Sequence, residues 1–539
     1  MIEAMAMNHD APPRSERVPT LETVVAELRG ASIDARITGN SSVRAGDVQQ
    51  DSRRVSPGDL FVARAGSTTD AASLDRFVRD AIERGAVAVL RAADASSQPP
   101  LPVPSIEVPA EQLRAALGLA ASAVHGHPSY VVEVLGVTGT NGKTTTTWLL
   151  ADALDRLADP QEIEPDCVVI GTVGARLGGH RRPTTHTTPE GDELARLLGW
   201  ARDRGATHAA LEVSSHALDQ GRLAGTRVRA AAFTNLTQDH LDYHATMERY
   251  FEAKARLFHE LHPGVGVVWV DDDYGMRLAD GLKIPSIRVG TAPGADVRIV
   301  AQRHDATGME ATLAMSSGGE VSLRSRLIGA HNLANLSIAL GVLIGLGVPA
   351  AAAADALGAA RPVPGRLELA SDPGVDDVTV LVDYAHTPDA LTRVLAALRP
   401  LTKGRIFCVF GCGGDRDKAK RAPMGQAVVD GADLAIVTSD NPRTEAPEAI
   451  VAAVLDGTGG APRLDADALP AAVRGVHVEV DRRAAIAVAI RAARPGDVVL
   501  VAGKGHEDYQ IVGTEKRPFD DVAECRSSLK SRRSARGAG

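Results

Sequence analysis

The chain has 539 residues, of which 24% are charged, and a net charge of -9; this argues against a broadly basic nucleic-acid binder and leaves length for about three to four ordinary domains. No apolar run approaches the ~20 residues that span a bilayer, and the opening MIEAMAMNHDAPPRSERVP lacks the apolar segment of a signal peptide, so a cytoplasmic protein with no integral membrane segment is expected. Cys167, Cys408, Cys412 and Cys525 are too dispersed for a disulfide framework and form no CxxC pair, which fits a reducing compartment.

Residues 1–20 are polar and carry prolines, and read as a disordered arm. From 21 to 130, apolar runs such as LFVA (Leu60 to Ala63) and AVAVL (Ala86 to Leu90) alternate with helical patterns such as LDRFVRDAIERG, a small α/β domain that closes at HGHPSY. From 131 to 361 the strand candidates VVEVLGV, CVVIGTV, THAALEVSS, AAAFTNL and GVGVVWVDD have helices between several of them, which argues for a mainly parallel sheet covered on both faces. RPVPGRLE interrupts this pattern and marks a linker. From 362 to 527, VTVLVDYAHTP, RIFCVFGCGGDRD, LAIVTSDNP and DVVLVAGKGHE are strands ending in polar or glycine-bearing loops. In an open α/β sheet such loops line one crevice. The last stretch, 528–539, is basic and reads as a flexible tail whose charges stay solvated.

The most informative stretch is VLGVTGTNGKTTTT, Val134 to Thr147. A strand enters a turn in which Gly139 and Gly142 let backbone N–H groups point at a phosphate, with Thr140 and Asn141 between them, and the following helix presents its positive end. Lys143 would reach the outer phosphates, with Thr144 on Mg²⁺ and Thr145 beside it. The common phosphate-loop spacing would put a glycine at Val137, whereas here it stands at Gly136.

Downstream, EVSSH places Glu212 at a strand end, where a carboxylate suits Mg²⁺ shared with phosphates, and TNLTQDHLDYH contains His240. Lys254 lies on an amphipathic helix pattern and by itself reads as a surface lysine. GAHNLANLSIAL reads as a helix entered through His331 and Asn332. Arg366 reads as a linker salt bridge, and Ser52 as part of a plain turn.

The ordered series GTNGKTT, EVSSH, TNLTQDH, YFEAKARLF, GAHNLAN, PGRLE, DYAHTP and SDNPR resembles the Mur ligases, ATP-dependent enzymes that add amino acids to the peptide of cell-wall precursors. The resemblance runs from about Thr20 to Ser527. It implies a three-domain α/β architecture with a central phosphate-loop ATPase-like parallel sheet and a Rossmann-like C-terminal domain. It also implies that Glu212 and His240 help hold Mg²⁺, and that Lys254 is a carbamate (N6-carboxylysine) supporting the metal site. Asn335 would lie near adenine, Arg366 would contact phosphate and Asp383 ribose. Gln50, Ser52, Ser67, Thr68, Thr69, Thr187, Thr188, Ser214, Gln220 and Arg222 match positions that bind the UDP-linked sugar peptide, and His186 stands where some relatives place an ATP-contacting asparagine.

In the third domain the Asn-Pro pair of SDNPRTE favours a turn, and the planar fork of Arg443 suits a carboxylate. With Arg416, Asp440, Asn441, Pro442, Gly503 and Glu507, the resemblance implies an acceptor amino acid whose far end carries an ammonium and a carboxylate, meso-2,6-diaminopimelate. The partner substrate would be UDP-N-acetylmuramoyl-L-alanyl-D-glutamate. A ligase adding lysine or a dipeptide, or glutamate to folate, is the alternative among enzymes. A nucleotide switch would leave the Arg416, Arg443 and Glu507 group without a task.

Overall fold

The computed structural model describes residues 18–65, 70–93, 101–158, 165–305, 308–361 and 363–537. The expected arm lies outside the described residues up to 17; Thr20 already caps the helix Leu21–Gly30 by accepting from Thr23 N–H. Strands β1 (Arg36–Thr38), β2 (Val48–Gln49), β3 (Leu60–Ala63), β4 (Ala88–Ala92) and β5 (Ser105–Val108) form a sheet in the order β1-β5-β4-β3-β2. Only the β1–β5 pair in it is antiparallel.

The central sheet follows from runs that are apolar on both faces, as parallel strands covered by helices must be. Its strands are β6 (Glu133–Thr138), β7 (Cys167–Gly171), β8 (Gly174–Leu177), β9 (His180–Arg182), β10 (His208–Glu212), β11 (Val228–Phe233), β12 (Val265–Trp269) and β13 (Ser286–Gly290), ordered β13-β12-β11-β6-β10-β7-β8-β9. From β13 to β7 neighbours are parallel, and β8 and β9 extend one edge as antiparallel strands. β14 (Val297–Asp305) joins the other edge through Val297 and Arg298.

The chain divides into two compact units, 1–298 with 337–356, and 299–336 with 357–539. The boundary expected after residue 130 therefore separates two sheets but not two compact units. The physical reason is the contact between them. Ala195 of the helix Gly191–Arg202 packs into the N-terminal core, and Arg196 Nε donates to Asp47 Oδ2 at 2.8 Å while His125 Nε2 meets Asp47 Oδ1 at 2.9 Å. Burial raises the affinity of Asp47 for a proton, but the hydrogen bonds from His125 and Arg196 outweigh it and hold the carboxyl well below the usual range.

The second unit also begins earlier than the expected linker, taking in the antiparallel pair β15 (Gly308–Met315) and β16 (Glu320–Ser325). Its main sheet comprises β17 (Glu368–Leu369), β18 (Thr379–Asp383), β19 (Ile406–Phe410), β20 (Leu434–Val437), β21 (Gly475–Val478) and β22 (Val498–Ala502), ordered β17-β18-β22-β19-β20-β21. All neighbours except β17–β18 are parallel. A separate core lies on each face, one around Leu391, Met424 and Val454, the other around Ile486, Ile490 and Leu529. β23 (Tyr509–Val512) and β24 (Glu515–Pro518) form a hairpin.

Of the tail expected to be flexible, residues 528–537 are instead the end of the helix Asp521–Gly537, and 538–539 lie outside the described residues. Its basic residues have partners far back in sequence: Arg532 grips Asp377 through Nε at 2.9 Å and Nη2 at 2.8 Å, and Arg533 grips Asp376. Arg532 and Asp377 are mostly buried, so Arg532→Ala should lower stability by about 1–3 kcal/mol. Urea unfolding checks this through the midpoint at unchanged slope; an unmoved midpoint would return these charges to solvent.

Candidate functional site

β6 lies between β10 and β11 with Val137 beside Glu212 and Thr138 beside Phe233, so the phosphate-type loop, Glu212 and Thr234 share the carboxyl end of the sheet. Gly139 adopts φ 146°, and a Cβ there would fall 2.0 Å from Thr234 Oγ1. No larger residue fits this position. The loop is held from one side: Thr234 Oγ1 donates to Asn141 O at 2.6 Å, Asn141 N–H donates to Asn235 Oδ1 at 3.1 Å, and Thr140 N–H donates to Asn235 O at 2.9 Å. Gly142, at φ 87°, then starts the helix Lys143–Leu157, whose N-terminal N–H groups favour an anion.

Lys143 Nζ donates to Gly139 O and Thr140 O, each at 2.9 Å. Thr144 Oγ1 donates to Glu212 Oε2 at 2.9 Å, and Thr145 is buried next to it. Glu212 is 1% exposed, and its Oε1 accepts from Thr172 N–H at 3.0 Å. A Cβ on Gly171 would lie 2.1 Å from that oxygen.

Lys254 is not a surface lysine. It is 1% exposed, donates to Gly139 O at 2.8 Å, and lies 4.5 Å from the centre of the Tyr250 ring. Burial, and next to it the charge of Lys143, push its ammonium well below the ordinary lysine value, towards the neutral amine. The amphipathic pattern missed this because the burial comes from tertiary packing of the helix Met247–His259 under the loop. His240, at φ 52°, is half exposed; its ring lies 5.0 Å from His216 and 6.0 Å from Tyr250, whose hydroxyl donates to Thr140 Oγ1 at 3.3 Å.

Thr188, fully buried, donates to Glu212 O at 2.8 Å and accepts from Ser214 N–H at 2.9 Å, while Thr187 meets Thr172 Oγ1 at 3.2 Å. Arg222 Nη1 donates to Thr188 O at 2.9 Å and Nη2 to Gln220 Oε1 at 2.8 Å. Gln50 Nε2 donates to Asp192 Oδ1 at 2.7 Å while its Oε1 accepts from Arg64, and Ser52 opens a short 3-10 turn. Ser67, Thr68 and Thr69 lie outside the described residues. Sequence reasoning missed Glu190, on which Arg222 at 3.2 Å, Arg64 at 3.7 Å and Arg114 at 4.0 Å converge; it closes the run HTTPE, His186 to Glu190, which also holds Thr187 and Thr188 and was the available signal. His186 Nδ1 meets its neighbour Thr185 Oγ1 at 3.0 Å.

The helix Ala330–Gly345, whose first turns through Leu336 belong to the second unit, begins before Asn332, so Asn332 is not its cap. Asn332 Nδ2 donates to Ile328 O at 2.8 Å and Oδ1 accepts from Asn335 at 3.1 Å. Arg366 lies over the Tyr384 ring at 4.9 Å, and among the described residues it makes no ion pair of the kind expected. Asp383 accepts the N–H groups of Leu367 and Ala385 at 2.8 Å each; burial foremost raises its pKa, against Arg366.

The carboxyl-end loops of β19, β20 and β22 meet. A Cβ on Gly413 would lie 3.0 Å from Arg443 Nη1 and 3.8 Å from Arg416 Cγ, which puts both arginines beside one glycine. Arg443 Nη1 donates to Gly414 O at 2.8 Å, and Asn441 Nδ2 donates to Glu507 Oε2 at 2.9 Å. Pro442 shapes the turn between them, with Arg443 at φ 51°. Gly503, at φ 121°, stands 3.9 Å from Asp440 Cγ, measured from a built Cβ. This centre presents guanidinium and carboxylate groups side by side.

The Mur ligase middle domain matches residues 137–343, and the Mur ligase, glutamate ligase domain matches residues 365–505. The UDP-N-acetylmuramoyl-L-alanyl-D-glutamate--2,6-diaminopimelate ligase of Synechococcus elongatus is 44% identical over 525 residues, 95% of this chain and 98% of its own. The chain belongs to the Mur ligase family. A ligase of the same name from Geobacter metallireducens is 44% identical over 91% of this Mur ligase and 94% of its own length. A solved structure of a UDP-N-acetylmuramoyl-L-alanyl-D-glutamate--2,6-diaminopimelate ligase superposes with a TM-score of 0.68 at 32% identity, covering 95% of this chain and 99% of that one.

The oxygen donors at the phosphate loop suit the hard divalent cation implied for Mur ligases. Thr144 Oγ1 and Glu212 Oε2 already meet at 2.9 Å, and the carboxylate is oriented by Thr172. Among the described residues no three His, Cys, Asp or Glu side chains converge on one metal position. Such an ion would therefore draw most of its ligands from phosphate and water, as Mg²⁺ does.

Proposed function

We propose that this Mur ligase uses ATP to join an amine of meso-2,6-diaminopimelate to the side-chain carboxylate of D-glutamate in UDP-N-acetylmuramoyl-L-alanyl-D-glutamate, in cytoplasmic synthesis of peptidoglycan precursors. The names of the similar ligases state both substrates. The observation that supports it in this chain is the third-sheet centre, where Arg416 and Arg443 flank Gly413 and Asn441 ties Glu507 to the same turn. A zwitterionic amino-acid end needs both signs of charge at close quarters; the guanidinium forks take its carboxylate and Glu507 its ammonium. Among the described residues no helix is long and apolar enough to cross a membrane.

In this mechanism the substrate carboxylate oxygen takes the terminal phosphoryl group of ATP and ADP leaves. The amine then adds to the acyl carbon, and phosphate departs from the tetrahedral adduct, so no protein nucleophile is required. The loop N–H groups and the helix end at Lys143 hold the phosphates, and the Lys143 ammonium meets the charge of the transferring group. Thr144, Glu212 and a carbamylated Lys254, with His240 near the loop, would hold Mg²⁺, which when bound neutralises phosphoryl oxygens. Thr188, Ser214, Gln220 and Arg222 orient the sugar peptide. The direct test is ADP release with the nucleotide-linked dipeptide and, separately, meso-diaminopimelate, L-lysine or D-Ala-D-Ala. Only the first should support rapid turnover; equal rates with L-lysine would overturn the acceptor assignment.

Arg443→Ala sharpens that test. Truncating one partner of a buried charge pair weakens binding by about 2–5 kcal/mol, so the KM for meso-diaminopimelate should rise at least ~30-fold, at about 1.4 kcal/mol per tenfold. The KM for ATP should change little, and L-lysine, without a distal carboxylate, should lose little. An unchanged preference between the two amino acids would reduce Arg443 to a turn residue.

A further inference from the structure

Lys504 follows β22 in the GKGHE loop and is fully buried. Its Nζ has three oxygen neighbours: Asn441 Oδ1 at 3.1 Å, Glu507 Oε2 at 3.2 Å and Asp440 Oδ1 at 3.4 Å. An ammonium has three N–H donors, so this set satisfies it completely. Buried lysines are rare unless paired, and a fold that needed only an anchor at this strand end already has one. Arg482, also buried, donates to Ala502 O at 3.0 Å and is held by Asp521 through two hydrogen bonds of 2.8 and 2.6 Å.

Lys504 does something Arg482 does not: it touches three residues of the amino-acid centre at once. Asn441, besides accepting from Lys504, donates to Glu507 at 2.9 Å and accepts from Ile511 N–H at 2.9 Å. Asn441 O in turn accepts from Gly414 N–H at 2.9 Å, on the loop that carries Arg416. Both contacts to Glu507 fall on Oε2, so Oε1 can accept from an incoming ammonium. Asp440 and Glu507 alone would offer two negative charges; with Lys504 the acidic half of the centre carries one.

We propose that Lys504 is a specificity-determining positioning residue, which orients Glu507 through Asn441 and trims the acidic half of the centre to a single charge. The proposal rests on the acceptor assignment made above. A single negative charge on the acidic half, beside Arg416 and Arg443, lets the guanidinium forks and Glu507 each take one group of a zwitterionic end, whereas a doubly negative acidic half strengthens the hold on a purely cationic end such as that of L-lysine. Discrimination is the difference between these two affinities, and the unneutralised carboxylate is what would erode it.

The experiment compares wild type, Lys504→Met and the charge-balanced double variant Lys504→Met with Asp440→Asn, measuring kcat and KM for meso-diaminopimelate, L-lysine and ATP by ADP release. In Lys504→Met the ratio of kcat/KM for meso-diaminopimelate over L-lysine should fall on the order of tenfold or more, mostly through KM, with the KM for ATP unchanged. The double variant, again with one net negative charge, should recover part of that ratio. A purely structural role would depress both amino acids alike and leave the ratio in place, which overturns the proposal; so does a double variant with no recovery. If neither variant folds, Lys504 belongs to the fold and the proposal fails. A wild-type protein that releases ADP with diaminopimelate while Lys504→Met keeps its preference overturns this inference alone. A wild type inactive with diaminopimelate overturns the acceptor assignment and the proposal with it.

Discussion

Lys254→Ala is expected to abolish all but a residual activity, a loss of at least ~10²-fold in turnover, because under the proposed mechanism it removes the carbamate that would support the metal-binding oxygens. The chain places this lysine where the required chemistry is available. Its side chain is buried, and burial together with Lys143 disfavours the ammonium. The neutral amine can therefore attack CO₂; the nitrogen forms the new C–N bond, loses a proton and becomes a carbamate. One N–H remains on that nitrogen and can keep the hydrogen bond now made to Gly139 O at 2.8 Å. In the alanine variant Gly139 O still accepts from Lys143 at 2.9 Å, so the loop keeps its shape and small carboxylates such as acetate or propionate should restore part of the rate. Bicarbonate should help the wild type and not the variant. Native mass measurement of active protein checks the premise directly: the mass of one added CO₂ is expected, and an active protein without it, or a fully active alanine variant, would sink the idea.

The phosphate-type loop and its helix were legible because local rules specify them. A strand, two glycines with positive φ and a helix start occupy consecutive residues, so no distant contact is needed to predict them. Glu212 was legible for the same reason, as the last residue of an apolar strand. Lys254 and Lys504 were hidden because burial of a charged side chain is decided by what packs over it; for Lys504 that is Asp440, Asn441 and Glu507, of which the first two are more than sixty residues away. The tail misled in the same way, since its arginines look solvated until Asp376 and Asp377 are brought to them. Likewise, nothing in the composition near residue 130 reveals that Asp47 will meet Arg196. What is short in sequence was read, and what is closed by long-range ion pairs was not.

Lys143→Ala should lower turnover by roughly 10²-fold or more while leaving the fold intact, since preorganised charge at a transferring phosphoryl group acts where negative charge develops. Folding should survive for a local reason. Lys143 is the first residue of the helix Lys143–Leu157, where a cation opposes the helix dipole and alanine is a good helix former. The substitution should also reach Lys254. The charge of Lys143 helps to keep the Lys254 amine neutral, and the same charge would attract a carbamate once formed; both effects vanish together. Lys143→Ala should therefore carry less carbamate at a given bicarbonate concentration, measurable by carbon NMR with labelled bicarbonate. Its residual ADP release should depend more steeply on bicarbonate than that of the wild type. The two lysines share Gly139 O as an acceptor, so their effects should be non-additive in a double-mutant cycle, the double variant losing less than the product of the single losses. Near wild-type turnover in folded Lys143→Ala would remove the loop from the chemistry. Strict additivity would show that the two side chains, although they meet at one carbonyl, work independently.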